Sequence, residues 1–484
     1  MKTPWLGTAE LVFFVTLAVT FGAAIFARCR TNTREPDEDL AGRGLNKWLI
    51  GLSAGTTGNS GFIVTGAVGL GYVGGIHWLM LPISWLLGDL VFWTLFPARL
   101  NRLARKARAT TLSEMLTFDL TGGFARGTSI IVAMLLVVFL ATYTAAQWLA
   151  GRKFLSGIFE ISDLTALIAF AATIVAYSSL GGFRGSVYTD LVQAIIRIIG
   201  TGVALGAVLA FASSEPSQFM HNITGAGPDF LKLFPNGTLV SVVGFVLGFA
   251  GAAIGFGLGQ PQIVSRYFAG KNPEETRAAM WIYLGFLQAT WISMTIFGVI
   301  LRGVMPSIAD PETGLSVFFE QHIGAIATGI IFADVFATIA STSNGILVAM
   351  AQALLRDILP TGDHARQPSR IAMTLVTVVL GFATIILSLS LPGTVFSIAI
   401  DSLSKIGAGV AGAVVIKCLG WKHSALSLFM SIIAGIAVAF VWTHLGFDTT
   451  MNGAGVGILA SLVTNWLFCA FSPNPAKYSA AQTE

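Results

Sequence analysis

The stretch Gly51-Leu-Ser-Ala-Gly-Thr-Thr-Gly-Asn-Ser-Gly61-Phe62 lies in the middle of an apolar run long enough to cross a bilayer. A second such stretch is Gly251-Ala-Ala-Ile-Gly-Phe-Gly-Leu-Gly-Gln-Pro261-Gln262. Clustered glycines disfavour a regular helix, and proline removes a backbone donor. Unwound backbone at membrane depth is tolerated only where protein or a water-filled cavity covers it. The first stretch opens a block of five apolar runs over about residues 48–212, and the second opens another five over about 237–418. An odd number of crossings per block inverts the second block relative to the first. Interrupted helices at matching places in two inverted halves point to a transporter's binding site. Small residues also serve plain helix packing, but packing does not account for the matched positions or for Asn59 and Gln260 beside the glycines.

The rest of the chain has the same character. Its 484 residues are 54% hydrophobic and only 11% charged. Thirteen continuous apolar runs are read, at about 5–28, 48–75, 77–98, 125–148, 161–180, 186–212, 237–264, 276–301, 323–356, 370–391, 395–418, 424–444 and 452–471. Continuous runs predict membrane-spanning helices, and the lack of alternation excludes a barrel. The first run is too long for a signal peptide and has Arg28 and Arg30 on its far side. With the N-terminus outside, 21 of the 28 lysines and arginines fall in inner loops and 5 in outer ones, leaving Arg197 and Lys405 inside the membrane. The positive-inside rule therefore predicts an integral plasma (inner) membrane protein with its N-terminus outside and its C-terminus cytoplasmic. The net charge of +4 is a topology signal, so no nucleic acid is expected as a partner. The run Arg99–Arg108 reads as a stop-transfer and lipid-headgroup patch, and the bilayer itself is the expected surrounding.

Cys29, Cys418 and Cys469 show no paired spacing, and the six histidines do not sit at metal-ligand spacings. There is no nucleotide fingerprint and no nucleophile–base set, so an enzyme is not expected and no cofactor is called for.

A third informative stretch is Tyr177-Ser-Ser-Leu-Gly-Gly-Phe-Arg-Gly-Ser-Val-Tyr-Thr-Asp190-Leu-Val-Gln193. A Gly-Gly turn joins two apolar runs, with an acid just inside the second. A carboxylate at that depth is costly and usually faces a partner, a cavity or an ion path. Asp89, Arg197, Asp334, Asp401 and Lys405 are the other charges in the runs. Asp401 and Lys405, at i and i+4, can pair on one helix. Asp190 and Arg197, seven apart, also share a face. The alternative reading makes one of these a solute or proton partner.

Taken together, these segments resemble the sodium:solute symporter family, and most closely its proline/sodium branch. The likeness runs from about residue 40 to about 440. It is carried by Gly51-Leu-Ser-Ala-Gly with Ser60-Gly61, by Tyr143-Thr-Ala, by the Gly-Gly turn leading to Asp190, by Gly259-Gln-Pro-Gln-Ile-Val-Ser-Arg266, and by Ala340-Ser341-Thr342. The resemblance implies an all-α membrane protein with a LeuT-type 5+5 inverted-repeat core within thirteen transmembrane helices. It divides the chain into an extra helix and linker (1–47), a first repeat (48–212), a second repeat with an external loop (213–418), and two C-terminal helices with a short tail (419–484).

The resemblance also implies a sodium site at Thr56, Asn59, Thr338, Ser341 and Thr342, from carbonyls of the broken run and the ninth run together with two hydroxyls. Oxygen ligands suit a hard cation. Asp190 is the candidate for a second ion or a proton. Substrate contacts are expected from Ser60, Gly61, Phe62, Tyr143, Gln147, Phe256 and Gln260. The chain departs from the proline branch at Gly58, where that branch has an aspartate, and at Ala253 and Gly257, where it has aromatic contacts, which implies a larger pocket. The later serine positions of the ninth run read Asn344 and Gly345. The expected function is a sodium-coupled secondary active symporter that imports a small polar solute, an amino acid or related carboxylate, by alternating access. Proton coupling in the same fold and a non-transporting solute sensor are the alternatives.

Overall fold

The structure is a computed structural model that describes residues 7–29, 38–234, 237–359 and 368–470. Of the charges counted for orientation, Lys2, Arg30, Arg34, Arg366 and Lys477 lie outside the described residues.

Helix α1 (Thr8–Cys29) is followed by α2 (Lys47–Gly58), α3 (Gly61–Val64) and α4 (Gly66–Gly74). These three are one apolar run divided by its own chemistry. Asn46 caps α2 by accepting from the N–H groups of Trp48 and Leu49. Asn59 leaves the helical region at φ −85°, ψ 74°, and Ser60 is extended and caps α3 by accepting from the Phe62 N–H. Thr65, at φ −116°, ψ −65°, kinks the chain into α4. A turn at Gly75–Leu79 leads into α5 (Met80–Leu95), then α6 (Pro97–Ala107) and α7 (Leu112–Thr117). Next come α8 (Gly123–Phe159), α9 (Asp163–Ser214) and α10 (Pro216–Gly225). The expected Gly-Gly turn is a single left-handed residue within α9, Gly182 at φ 55°.

The second broken run is α11 (Leu239–Gly259) and α12 (Pro261–Phe268), separated at Gln260 with φ −87°, ψ 104°. Pro261 begins α12, where its missing N–H costs nothing. Then follow α13 (Pro273–Ala278), α14 (Met280–Val304), α15 (Gly314–His322), α16 (Ala325–Gln352), α17 (Arg370–Ser390), α18 (Val395–Ile406), α19 (Gly412–Cys418), α20 (Ala425–His444) and α21 (Gly453–Ala470). A π-helical turn, Gly407–Ala411, joins α18 to α19.

Helix α16 is the centre of the molecule. It packs against α1, α8, α9 and α17, and nearly every residue from Thr328 to Gln352 is buried. Close approach elsewhere depends on glycine. A Cβ on Gly255 of α11 would lie 3.0 Å from the Gly407 Cα. Outward positions are large and apolar, including Leu239, Val240, Trp281 and Ile371, as expected where lipid is the solvent.

Among the described residues, eleven helical stretches are long and apolar enough to cross a membrane. The thirteen runs read from the sequence differ at two places. The stretch Gly61–Leu95 holds the end of the second run and the whole of α5 on either side of the turn at Gly75–Leu79, where Gly75 adopts φ 71°, and Asp163–Ser179 is short once α9 divides at Gly182.

Candidate functional site

The end of α2 meets the middle of α16. The Ser341 hydroxyl donates to the Thr56 carbonyl at 2.9 Å, and the Thr342 hydroxyl donates to the Thr57 carbonyl at 2.8 Å. The helix break frees these carbonyls from their ordinary i+4 partners. Thr338 lies one turn earlier on α16 and donates to Asp334 Oδ1 at 3.4 Å. Asn59 donates from Nδ2 to the Thr290 hydroxyl, while its Oδ1 and the Thr56 hydroxyl are buried without a partner among the described residues. Two hydroxyl and two carbonyl oxygens are therefore adjacent already. Rotation of the two O–H groups away from the carbonyls would leave all four oxygens as acceptors for a hard cation.

Beside the break lies a narrow cavity of about 30 Å³, lined by Gly58, Ser60, Phe62, Trp85, Tyr143, Phe256, Trp291 and Phe396 with aliphatic residues of α5, α14 and α18. Phe62 packs edge-on to Trp291 at 5.4 Å and against Phe396 at 5.2 Å, and Trp85 meets Phe256 at 5.6 Å and Trp291 at 5.5 Å. Charged side chains are absent from the lining. The space holds little more than a water molecule, so a solute enters only if an aromatic wall moves. Phe396 and Ile400 also line a wider cavity of about 400 Å³ that contains Asp401, Lys405 and Asp448.

Of the residues expected at the solute, Ser60, Phe62, Tyr143 and Phe256 line the narrow cavity. Gly61, Gln147 and Gln260 do not line it. Gln147 Oε1 accepts from the Gly61 N–H at 2.9 Å and so holds the start of α3, and Gln260 Oε1 accepts from Gln262 at 2.9 Å.

Asp190 is fully buried and tied into a network. Its Oδ2 accepts from Ser53 at 2.6 Å, Thr57 at 3.1 Å and Arg266 Nη2 at 3.0 Å. Arg266 also donates to Ser53 at 3.0 Å, to Ser186 at 2.7 Å and to the Gln262 carbonyl, and its guanidinium lies 5.2 Å from the Phe183 ring. One ion pair thus links both broken helices, through α2 and α12, to α9. The partner read from spacing, Arg197, is corrected: it pairs with Asp334 of α16 at 2.6 Å, because seven residues place it about 10 Å further along the same face of α9, out of reach of Asp190. Asp401 and Lys405 do pair with each other. Sequence reasoning missed Arg266, Ser53, Thr57, Trp85, Trp291 and Phe396. Arg266 was read as the end of the motif Gly259–Arg266 and as an inner-side cation, with no partner assigned to it.

Two broken helices crossing beside a buried cavity, with hydroxyls of a central helix on the freed carbonyls, define a helical membrane transporter core. The family model for the sodium:solute symporter family matches residues 40–439, and this chain belongs to that family. The osmoregulated proline transporter OpuE of Bacillus subtilis is 24% identical over 92% of this chain and 91% of its own length. The sodium/pantothenate symporter of Haemophilus influenzae is 24% identical over 94% and 96%, and the sodium/proline symporter of Escherichia coli 24% over 92% and 89%. A Na+-coupled sialic acid symporter, solved substrate-bound and outward-open, superposes with a TM-score of 0.80 at 16% identity, covering 98% of this chain and 99% of that one. MhsT in complex with L-phenylalanine gives 0.53 at 16%, covering 86% and 98%. These likenesses show the fold. These curated relatives are transporters.

Proposed function

We propose that this chain couples inward sodium movement to import of a small carboxylate-bearing solute, with an amino acid as the first candidate. The observation that carries the reading is the clasp of Ser341 and Thr342 on the Thr56 and Thr57 carbonyls. Sodium binds there, with the Asn59 and Thr338 carbonyls completing its oxygen shell. The solute binds in the aromatic cavity beside it, through Ser60, Tyr143 and the N-terminus of α3. A carboxylate would exchange with the Gln147 and Ser60 oxygens that hold the first N–H groups of α3, at the positive end of that half-helix. The aromatic lining, without charged side chains, favours a solute with an apolar body over a sugar. Proline transport by relatives fits this class.

Sodium stabilises one state of the molecule and completes the pocket, and a ligand shifts an equilibrium only by such a difference in affinity. The inverted five-helix halves then rock about the site within thirteen crossings, with the N-terminus outside and the C-terminus in the cytoplasm. The test is a screen of amino acids and related carboxylates for thermal stabilisation of the purified protein, with sodium against choline. A solute that stabilises only with sodium supports the reading. Stabilisation of equal size in choline counts against it.

A further inference from the structure

Asp89 on α5 is 1% exposed and lies inside the apolar stretch Gly61–Leu95. The other buried acids have partners. Asp190 accepts from Arg266, Asp334 from Arg197, Glu312 from Lys153 and Asp357 from Thr111. Neither Asp89 oxygen has a hydrogen-bond partner among the described residues. Trp85 and Trp93 stand at i−4 and i+4, on the same face of the helix. Their indole N–H groups are also without partners.

Among the described residues, the surroundings supply no counter-charge. Helix α11 carries no titratable side chain. Tyr267 of α12 and Tyr283 of α14 both pack on Trp93, one turn beyond Asp89, at 5.2 and 5.0 Å. Arg266, next to Tyr267, is engaged with Asp190. The cations of α6 begin at Arg99, roughly 15 Å further along by helical rise, and Arg105 there binds backbone carbonyls of Arg43, Gly270 and Lys271. His77, before α5, contacts the Leu233 carbonyl.

A bare carboxylate in this setting is strongly disfavoured, so in this packing the group holds a proton. The face is poorly suited to sodium, which needs several oxygens, because its nearest polar groups along α5 are N–H donors. Those donors are suited to a carboxylate that forms when the packing loosens. The face also reaches the helix break: the Tyr283 hydroxyl lies 3.8 Å from where a Gly58 Cβ would stand, and Tyr267 belongs to the broken half-helix α12.

We propose that Asp89 exchanges a proton against sodium: it is protonated in the sodium-free protein and deprotonates when sodium binds at the α2–α16 clasp. The protonated carboxyl is neutral, and a sodium ion in the same low-dielectric region favours its ionised form. On sodium binding the O–H bond at one Asp89 oxygen breaks and the proton passes to water. On the return leg the carboxylate takes a proton from hydronium and leaves water, so that the empty carrier crosses without a bare charge. The proposal rests on the sodium reading above.

The test uses sodium chloride alone, against choline chloride, added to purified protein in weakly buffered medium near neutral pH with a pH-indicator dye. The wild type should release up to about one proton per chain. Asp89→Asn should release none, and Asp89→Glu should restore release. Infrared difference spectra on wild type carrying isotope-labelled aspartate should show loss of a protonated carboxyl band on sodium addition, which needs no variant to fold. No release and no band change, in a protein whose melting temperature does rise with sodium, overturns the proposal and leaves the sodium site standing. Equal release from Asp89→Asn and wild type also overturns it. A melting temperature indifferent to sodium sinks the sodium reading instead.

Discussion

The Asp190–Arg266 pair gives a prediction whose size follows from the geometry. Both side chains are almost fully enclosed, at 0% and 2% exposure, with 3.0 Å between charged atoms. At an effective dielectric of about 20 their attraction is about 5–6 kcal/mol, against which desolvation of both ions must be set. Removing one partner of a buried pair typically costs about 3–5 kcal/mol, because the other charge is left behind. Arg266→Gln leaves Asp190 with Ser53 and Thr57 as donors. Asp190→Asn leaves the guanidinium with Ser53, Ser186 and a carbonyl. Each single variant should therefore be destabilised by about 3–5 kcal/mol. The double variant Asp190→Asn/Arg266→Gln removes both charges and should recover about 2–3 kcal/mol relative to the sum of the singles. The assay is reversible unfolding in mixed micelles for the four proteins, followed by tryptophan fluorescence, with transport measured per folded molecule. Because the pair ties α2 and α12 to α9, both singles should also lose most of their uptake. Single variants within about 0.5 kcal/mol of wild type, or a double variant no better than the sum, would refute this account of the network.

Three further outcomes follow from the same contacts. Ser341→Ala/Thr342→Ala removes both hydroxyls from the clasp and should raise the sodium concentration for half-maximal uptake at least tenfold, the equivalent of about 1.4 kcal/mol, with solute affinity at saturating sodium changing less; an unchanged sodium curve would place the site elsewhere. Asp401→Asn/Lys405→Met should retain expression and much of the transport, whereas either single leaves one charge of the pair uncompensated on the wall of the wide cavity; a folded but inactive double variant would make the pair a solute contact. Gly61→Val should abolish uptake without preventing membrane insertion, because even a Cβ there would lie 2.9 Å from Gln147 Oε1 and 3.0 Å from the Ala150 Cβ; wild-type uptake would mean that α3 is not held where we find it.

Both helix breaks were legible in the sequence, because glycine clusters and Pro261 act on the backbone locally. The role of Ser341 and Thr342 came from resemblance, and the structure supplies their partners on α2. The partner of Asp190 was not legible. Seven-residue spacing brings Arg197 to the same side of one helix, but the side chain in contact comes from α12, 76 residues away, and no local rule reaches that far. The aromatic cavity was half legible. Phe62 and Phe256 stood beside the breaks, whereas Trp85, Trp291 and Phe396 were three aromatic residues among many in apolar runs. The count of crossings differed where only the short turn Gly75–Leu79 separates α4 from α5 and where α9 divides at Gly182. Hydropathy alone does not set a boundary at either place.

The central claim is that sodium entering through the α2–α16 clasp drives solute uptake. The most direct measurement is simultaneous flux of radiolabelled sodium and of the solute found by the stabilisation screen, into proteoliposomes with an imposed inward sodium gradient. The account predicts that solute accumulates above its external concentration only while that gradient lasts, that sodium enters in fixed proportion to it, and that Ser341→Ala/Thr342→Ala depresses both fluxes together. Accumulation that persists when choline replaces sodium, or sodium entry that ignores the presence of solute, would contradict it.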